Sequence, residues 1–116
     1  MQTIGREVRL ITPALLRRHG VVSEQVAAAM AQGMRRHARA DLAIATTGVA
    51  GPGGGTSTTP VGTVCMAVAD RSGVAVKTIR IRGTRERVQA RAAAQALVMA
   101  FEVACGRLAT HPSGHI

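Results

Sequence analysis

The sequence predicts an α/β domain with helices packed on a mixed sheet. Three observations carry that reading. Residues 24–39 and 83–109 show helical signals. The segments 42–47, 61–69 and 74–82 between them are short apolar runs of strand length. Asp70-Arg71-Ser72-Gly73, which joins the last two runs, has Asp first and Gly fourth, the chemistry of a tight turn.

Residues 5–18 read as a short helical or irregular lead-in, interrupted at Ile11-Thr12-Pro13 and ended by Gly20. Ser23 is a good N-cap for the next helix, with Glu24 in its first turn. Val26, Met30, Met34 and His37 follow at spacings of 4, 4 and 3, so they share one helical face. Gly33 inside that helix costs about 1 kcal/mol relative to Ala and implies close approach by another element. Arg35, Arg36 and Arg39 crowd its C-terminal end, where cations suit the macrodipole.

The run 42–47 reads as a buried strand and 61–69, apolar on both faces, as a central one. In 74–82 the alternation is poor, because Val74 and Val76 share a face with Arg80 and Arg82, so one face must be partly exposed. Thr84 can cap the last helix, whose second half is apolar almost all round and is expected to be heavily buried. Residues 111–116 are expected to fray, leaving a single domain over 1–110.

The 116 residues suffice for one domain. Apolar residues make up 47%, which excludes a disordered composition, yet Phe101 is the single aromatic. A core of Ala and Val depends on close packing of elements. The charge of +9 suggests an anionic partner, unless Arg merely replaces Lys throughout. The arginines are scattered, with no run longer than two and no aromatics for base stacking, so nucleic acid is not the expected partner. Cys65 and Cys105 lack metal-ligand spacing and read as reduced, buried small hydrophobes of a cytoplasmic protein. The polar N-terminus shows no signal peptide, and no apolar run reaches membrane-spanning length.

The chemistry concentrates in residues 46–62, where five glycines fall within Gly48–Gly55. The segment fails as a Walker loop, because Gly55-Thr56-Ser57 has no Lys. It fails as a dinucleotide fingerprint, because Thr56 stands where a third Gly is needed and a strand follows. Consecutive glycines can nonetheless aim backbone N–H groups at one anion, and Thr46, Thr47, Thr56 and Ser57 add hydroxyls. A ligand-free crossover loop is the alternative. Arg85, at a helix N-terminus, is placed to reach a phosphate, although a solvated face is the default for Arg80, Arg82, Arg85, Arg87 and Arg91. His19 and His37 lie near helix ends and read as capping or surface residues, and His111 and His115 have no acidic or Cys partner for a metal.

These residues together resemble the C-terminal domain of the CinA (competence/damage-inducible) family. The likeness rests on Gly20 to Glu24, Ala29 to Ala31, Ala40-Asp41, Thr47 to Gly55 and Pro60 to Val64. It continues at Gly83-Thr84-Arg85, with Thr in place of the family's Asp, and covers residues 6–108. The resemblance implies hydrolysis of the carboxamide of nicotinamide mononucleotide to nicotinate mononucleotide and ammonia, with no metal or organic cofactor. It implies that Thr46, Thr47, Gly48, Gly51, Gly53, Gly54, Gly55, Thr56 and Arg85 hold the nucleotide. The family's catalytic residues map onto nothing here. Its nucleophile lies in a Ser-Cys-Thr-Gly-Gly segment and is followed by Tyr-Ser-Asn and a Lys. Counted back without gaps, the Tyr falls before Met1 and the Lys falls on Gly5. The chain has no Tyr, and its one Lys is Lys77. The fold is therefore expected to lack the family's first strand and helix, leaving an unpaired sheet edge and an exposed apolar face. Expected partners are nicotinamide mononucleotide or a related phosphate, and a second copy or a partner subunit. A nucleotide-binding or assembly module without catalysis is the alternative function.

Overall fold

Three helices and three strands run in the order α1 (Pro13–His19), α2 (Glu24–Ala38), β1 (Ala43–Gly48), β2 (Thr63–Asp70), β3 (Gly73–Arg80) and α3 (Arg85–Ala104). They are seen in a computed structural model that describes residues 12–49, 55 and 59–112.

Helix α1 begins where the sequence reading placed an interruption. Thr12 caps it, accepting from the Leu15 N–H at 3.1 Å, and Pro13 occupies the first turn, where its missing N–H costs nothing. Gly20 closes it at a φ of 79°, donating to the Leu16 carbonyl. Ser23 caps α2 as expected, accepting from the Val26 N–H at 3.2 Å while its own hydroxyl donates to the Gly20 carbonyl. The helix ends at Arg39 in the left-handed region, with its N–H on the Arg35 and Arg36 carbonyls.

The sheet order is β1-β2-β3, and all its pairings among the described strands are antiparallel. The α/β class holds, and among the described strands the sheet is antiparallel throughout. Helix α2 covers one face, with Ala27 and Ala31 fully buried against Ala45, Cys65, Ala67, Ala69 and Val74. Of the face expected to lead this contact, Val26 is buried, while Met30, Met34 and His37 are only half-buried. The alanines lead because two layers without long side chains approach most closely along them. Helix α3 covers the other face, setting Val88, Ala92, Ala96, Met99 and Val103 against Val64, Met66 and Val68. Strand β2 is buried on both sides, as a central strand should be.

Four expectations change. Strand β1 is an edge strand with Thr46 and Gly48 exposed, because among the described strands only β2 pairs with it. The second half of α3 is buried on one side only. Leu97, Phe101 and Val98 are 64%, 60% and 52% exposed. Cys105 is exposed and Cys65 alone is buried. The tail is pinned at its start, because His111 and Val74 exchange both backbone hydrogen bonds, at 2.8 and 3.0 Å, on the outer edge of β3. Asp70 fixes that corner. One of its carboxylate oxygens accepts from the Ser72 and Gly73 N–H groups and from the Thr110 hydroxyl. The poor alternation of β3 resolves along its length, with Val74 and Ala75 buried and Lys77, Thr78 and Arg80 exposed.

Candidate functional site

The glycine-rich segment joins β1 to β2, and its two ends are drawn together by a backbone neck. The Val49 N–H donates to the Thr63 carbonyl at 2.9 Å, and the Gly62 N–H donates to the Val49 carbonyl at 2.6 Å. Thr63 also closes on Pro60, donating its hydroxyl to the Pro60 carbonyl at 2.6 Å. Gly55 sits against Val61, so close that a Cβ there would lie 2.6 Å from the Val61 nitrogen. Gly51, Gly53, Gly54, Thr56 and Ser57 lie outside the described residues.

Beside this neck, a cavity of about 280 Å³ opens between the end of β1 and the first half of α3. Val64, Val88 and Ala92 form an apolar floor, and Thr46 and Gln89 supply polar groups at an exposed rim. Such a floor and rim suit a flat organic ring carrying a polar substituent. Thr46 and Gly48 both line it. Thr47 contributes to the wall, but its hydroxyl donates to the Val21 carbonyl at 3.0 Å, on the α2 side of the sheet. Alternation along β1 makes that split unavoidable, since neighbouring side chains point to opposite faces.

Arg85 is the first residue of α3 and is exposed. It does not line the cavity, but it precedes Gln89 by four residues and therefore shares its helical face one turn nearer the N-terminus. The Thr84 cap consumes the Arg87 N–H of that turn. Sequence reasoning missed Val88, Gln89 and Ala92. The i to i+4 relation of Arg85 to Gln89 was the available signal, and what it lacked was knowledge that α3 crosses β1.

On the opposite face, Glu24, Thr78 and Cys65 form a short chain. Thr78 donates its hydroxyl proton to Glu24 at 2.6 Å and lies 3.5 Å from the Cys65 sulfur. Burial pushes the Cys65 thiol up and the Glu24 carboxylate adds to it, against the opposing pull of Thr78. A thiol held protonated is a poor nucleophile. We expect one thiol per chain, Cys105, to react quickly with a disulfide reagent near pH 8, and a second only after denaturation. Two fast thiols in the native protein would refute the assignment. The sign for stability follows: the contribution is full below the unfolded pKa and is lost as pH rises above about 9 towards the folded value.

A second cavity of about 170 Å³ lies at the far end of the sheet, among Arg35, Arg36, Arg71 and Asp70. Its Asp70 is already occupied as described, and Arg71 pairs with Asp41 at 3.4 Å between exposed side chains. Exposed pairs of this kind contribute little. The remaining arginines stand at the C-terminal end of α2, where they complement the helix carbonyls. Among the described residues there is no cluster of His, Cys, Asp or Glu able to hold a metal, and no helix long and apolar enough to cross a membrane.

The architecture is thus an alanine-packed α/β/α sandwich with a glycine-rich connection opening beside a cavity. The model of the CinA C-terminal domain matches residues 2–104, and the chain belongs to that family. A CinA-like protein of Geobacter sulfurreducens is 49% identical over 87 residues, covering 75% of this chain and 21% of the relative. One from Anaeromyxobacter dehalogenans is 51% identical over 87 residues, with the same coverage. The chain therefore spans about a fifth of the length of these curated relatives. Among solved structures, the competence/damage inducible protein CihA from Agrobacterium tumefaciens superposes with a TM-score of 0.80 at 33% identity. The match covers 86% of this chain and 61% of that one. A competence-damaged protein (CinA) superfamily protein from Escherichia coli gives 0.79 at 35% identity, covering 88% and 59%.

Proposed function

We propose that this chain carries the nucleotide-binding half of a carboxamide hydrolase acting on nicotinamide mononucleotide, and turns over little or none of it alone. The observation that carries this reading is the cavity between Thr46, Gly48 and Gln89 at the mouth of the glycine-rich connection. Its size suits the nicotinamide ring, with the phosphate lying outward toward Gly48 and the first turn of α3, which carries Arg85. Family membership supports the substrate class.

Amide hydrolysis needs a nucleophile, a base and donors for the tetrahedral oxyanion. The described residues near the cavity offer donors in Thr46 and Gln89 but no activated nucleophile. The chain has no Tyr, and Lys77 stands on β3, across β2 from the cavity strand. These absences favour the second reading equally, a nucleotide-binding module without catalysis.

Calorimetry with nicotinamide mononucleotide and an ammonia assay on the same preparation test both. We expect measurable binding with little or no ammonia release. Gln89→Ala and Arg85→Ala should each weaken binding about tenfold, as loss of a hydrogen bond to a charged or polarised group would. No heat with any mononucleotide refutes binding, and rapid ammonia release refutes the inactive reading.

A further inference from the structure

We propose that the cavity at the far end of the sheet is a second anion site, one that takes a ligand with two joined phosphoryl groups. It is separate from the cavity beside the glycine-rich connection. Val64 lines that one and Asp70 lines this one, and the two residues stand about 20 Å apart along β2.

Three segments of the chain build it. Gln32, Arg35 and Arg36 share one face of α2, because they follow at helical spacing. Arg71 and Ser72 come from the turn between β2 and β3, and Pro112 comes from the tail. The bridge of His111 to Val74 and the hydrogen bond of Thr110 to Asp70 hold that last wall in place. Between them lies a volume of about 170 Å³.

The positive charge around it is largely unspent. Among the described residues, the Arg36 guanidinium has no hydrogen-bond or ion-pair partner. Arg35 gives one N–H to the Ala40 carbonyl at 3.4 Å and keeps the rest of its fork. Arg71 meets Asp41 at 3.4 Å between exposed side chains, a contact that a better acceptor displaces at little cost. Asp70 is the one carboxylate in the lining. One of its oxygens already serves Ser72, Gly73 and Thr110, and it pairs with none of the three arginines. Helix capping does not explain the arrangement. The Arg35 and Arg36 carbonyls are already taken by the Ala40 and Arg39 N–H groups, and Arg71 is not on the helix. Three cations facing one small volume repel one another unless an anion lies among them. Guanidinium forks grip phosphate oxygens in pairs, and Gln32 and Ser72 add neutral donors. Three arginines match two joined phosphoryl groups better than a single phosphate. That chemistry is found in inorganic pyrophosphate and in the diphosphate of a nucleotide.

Calorimetry of the whole chain with pyrophosphate tests this. At about 0.1 M salt, charges more than about 10 Å apart are screened, so a built site persists where scattered arginines do not. Arg36→Gln and Arg71→Gln should each weaken binding about tenfold or more, as loss of a hydrogen bond to a charged group does. Both residues are exposed, so neither change threatens the fold. Arg91→Gln removes the same charge from exposed α3 and should change nothing. The amide resonances of Ser72 and Gly73 should move during the titration. A parallel titration with ADP identifies the source, since tighter binding of ADP means a nucleotide and tighter binding of pyrophosphate means the free ion. No binding of either compound overturns the proposal. So does an equal loss in Arg91→Gln and Arg36→Gln, or pyrophosphate binding that Gln89→Ala abolishes and Arg36→Gln leaves intact.

Discussion

Replacing Gly62 with Ala is expected to cost about 3 kcal/mol of stability and to lower the melting temperature by roughly 15 °C. Gly62 has a φ of 92°, a region that side chains with a Cβ avoid. A Cβ at this position would run into the carbonyl oxygen of Ile81. Neither group can step aside. The Gly62 N–H is held by Val49 at 2.6 Å, and its carbonyl accepts from the Ile81 N–H at 2.8 Å. One residue thus joins the neck of the glycine-rich connection to the end of β3. The substitution should reduce the proposed nucleotide binding as well, even at temperatures where the variant remains folded. Thermal unfolding followed by circular dichroism checks the first effect, and a Gly62→Ala protein melting with the parent would refute the geometry.

The second large effect is at Met66. Its side chain is fully buried at the centre of β2, beneath α3, and pairs across the sheet with Thr46 and Lys77. Met66→Ala should cost about 3 kcal/mol, near the middle of the range for large-to-small core substitutions. Collapse can relieve only part of it, because Ala92, Ala96 and Ala100 of the helix above have no length to reach into the void and only Val88, Met99 and Val103 could shift toward it. Met66→Leu, which conserves volume, should cost less than about 1.5 kcal/mol. Denaturant unfolding of the two variants separates these values, and similar losses from both would mean that shape rather than volume governs the site.

Much of the fold was legible because local signals and tertiary structure agree. Ser23 and Thr84 cap the helices they were expected to cap, and Asp70 to Gly73 makes the turn its composition suggests. The failures share a physical cause, which is that periodicity reports apolarity and not what covers it. The second half of α3 is apolar all round, but one sheet can bury only one side of a helix. Strand β1 reads as buried because it is apolar, and its place at the edge is a property of topology. Pro13 was misread because proline both breaks a helix and begins one, and only the Thr12 cap distinguishes the two. At the site, Thr46 and Gly48 were visible as neighbours of the glycines. Gln89 was not, because it comes from an element more than forty residues onward.

The neck at Val49, Gly62 and Thr63 also bears on how this scaffold can be changed. Its hydrogen bonds fix the entry and exit points of the connection independently of what lies between them. Closing a connection of twice the length costs only about 0.6 kcal/mol more. A longer connection can therefore be accepted at little expense to the sheet, provided Gly55 and Gly62 are kept. The domain is thus a natural acceptor for grafted recognition loops, presented beside a ready-made apolar cavity.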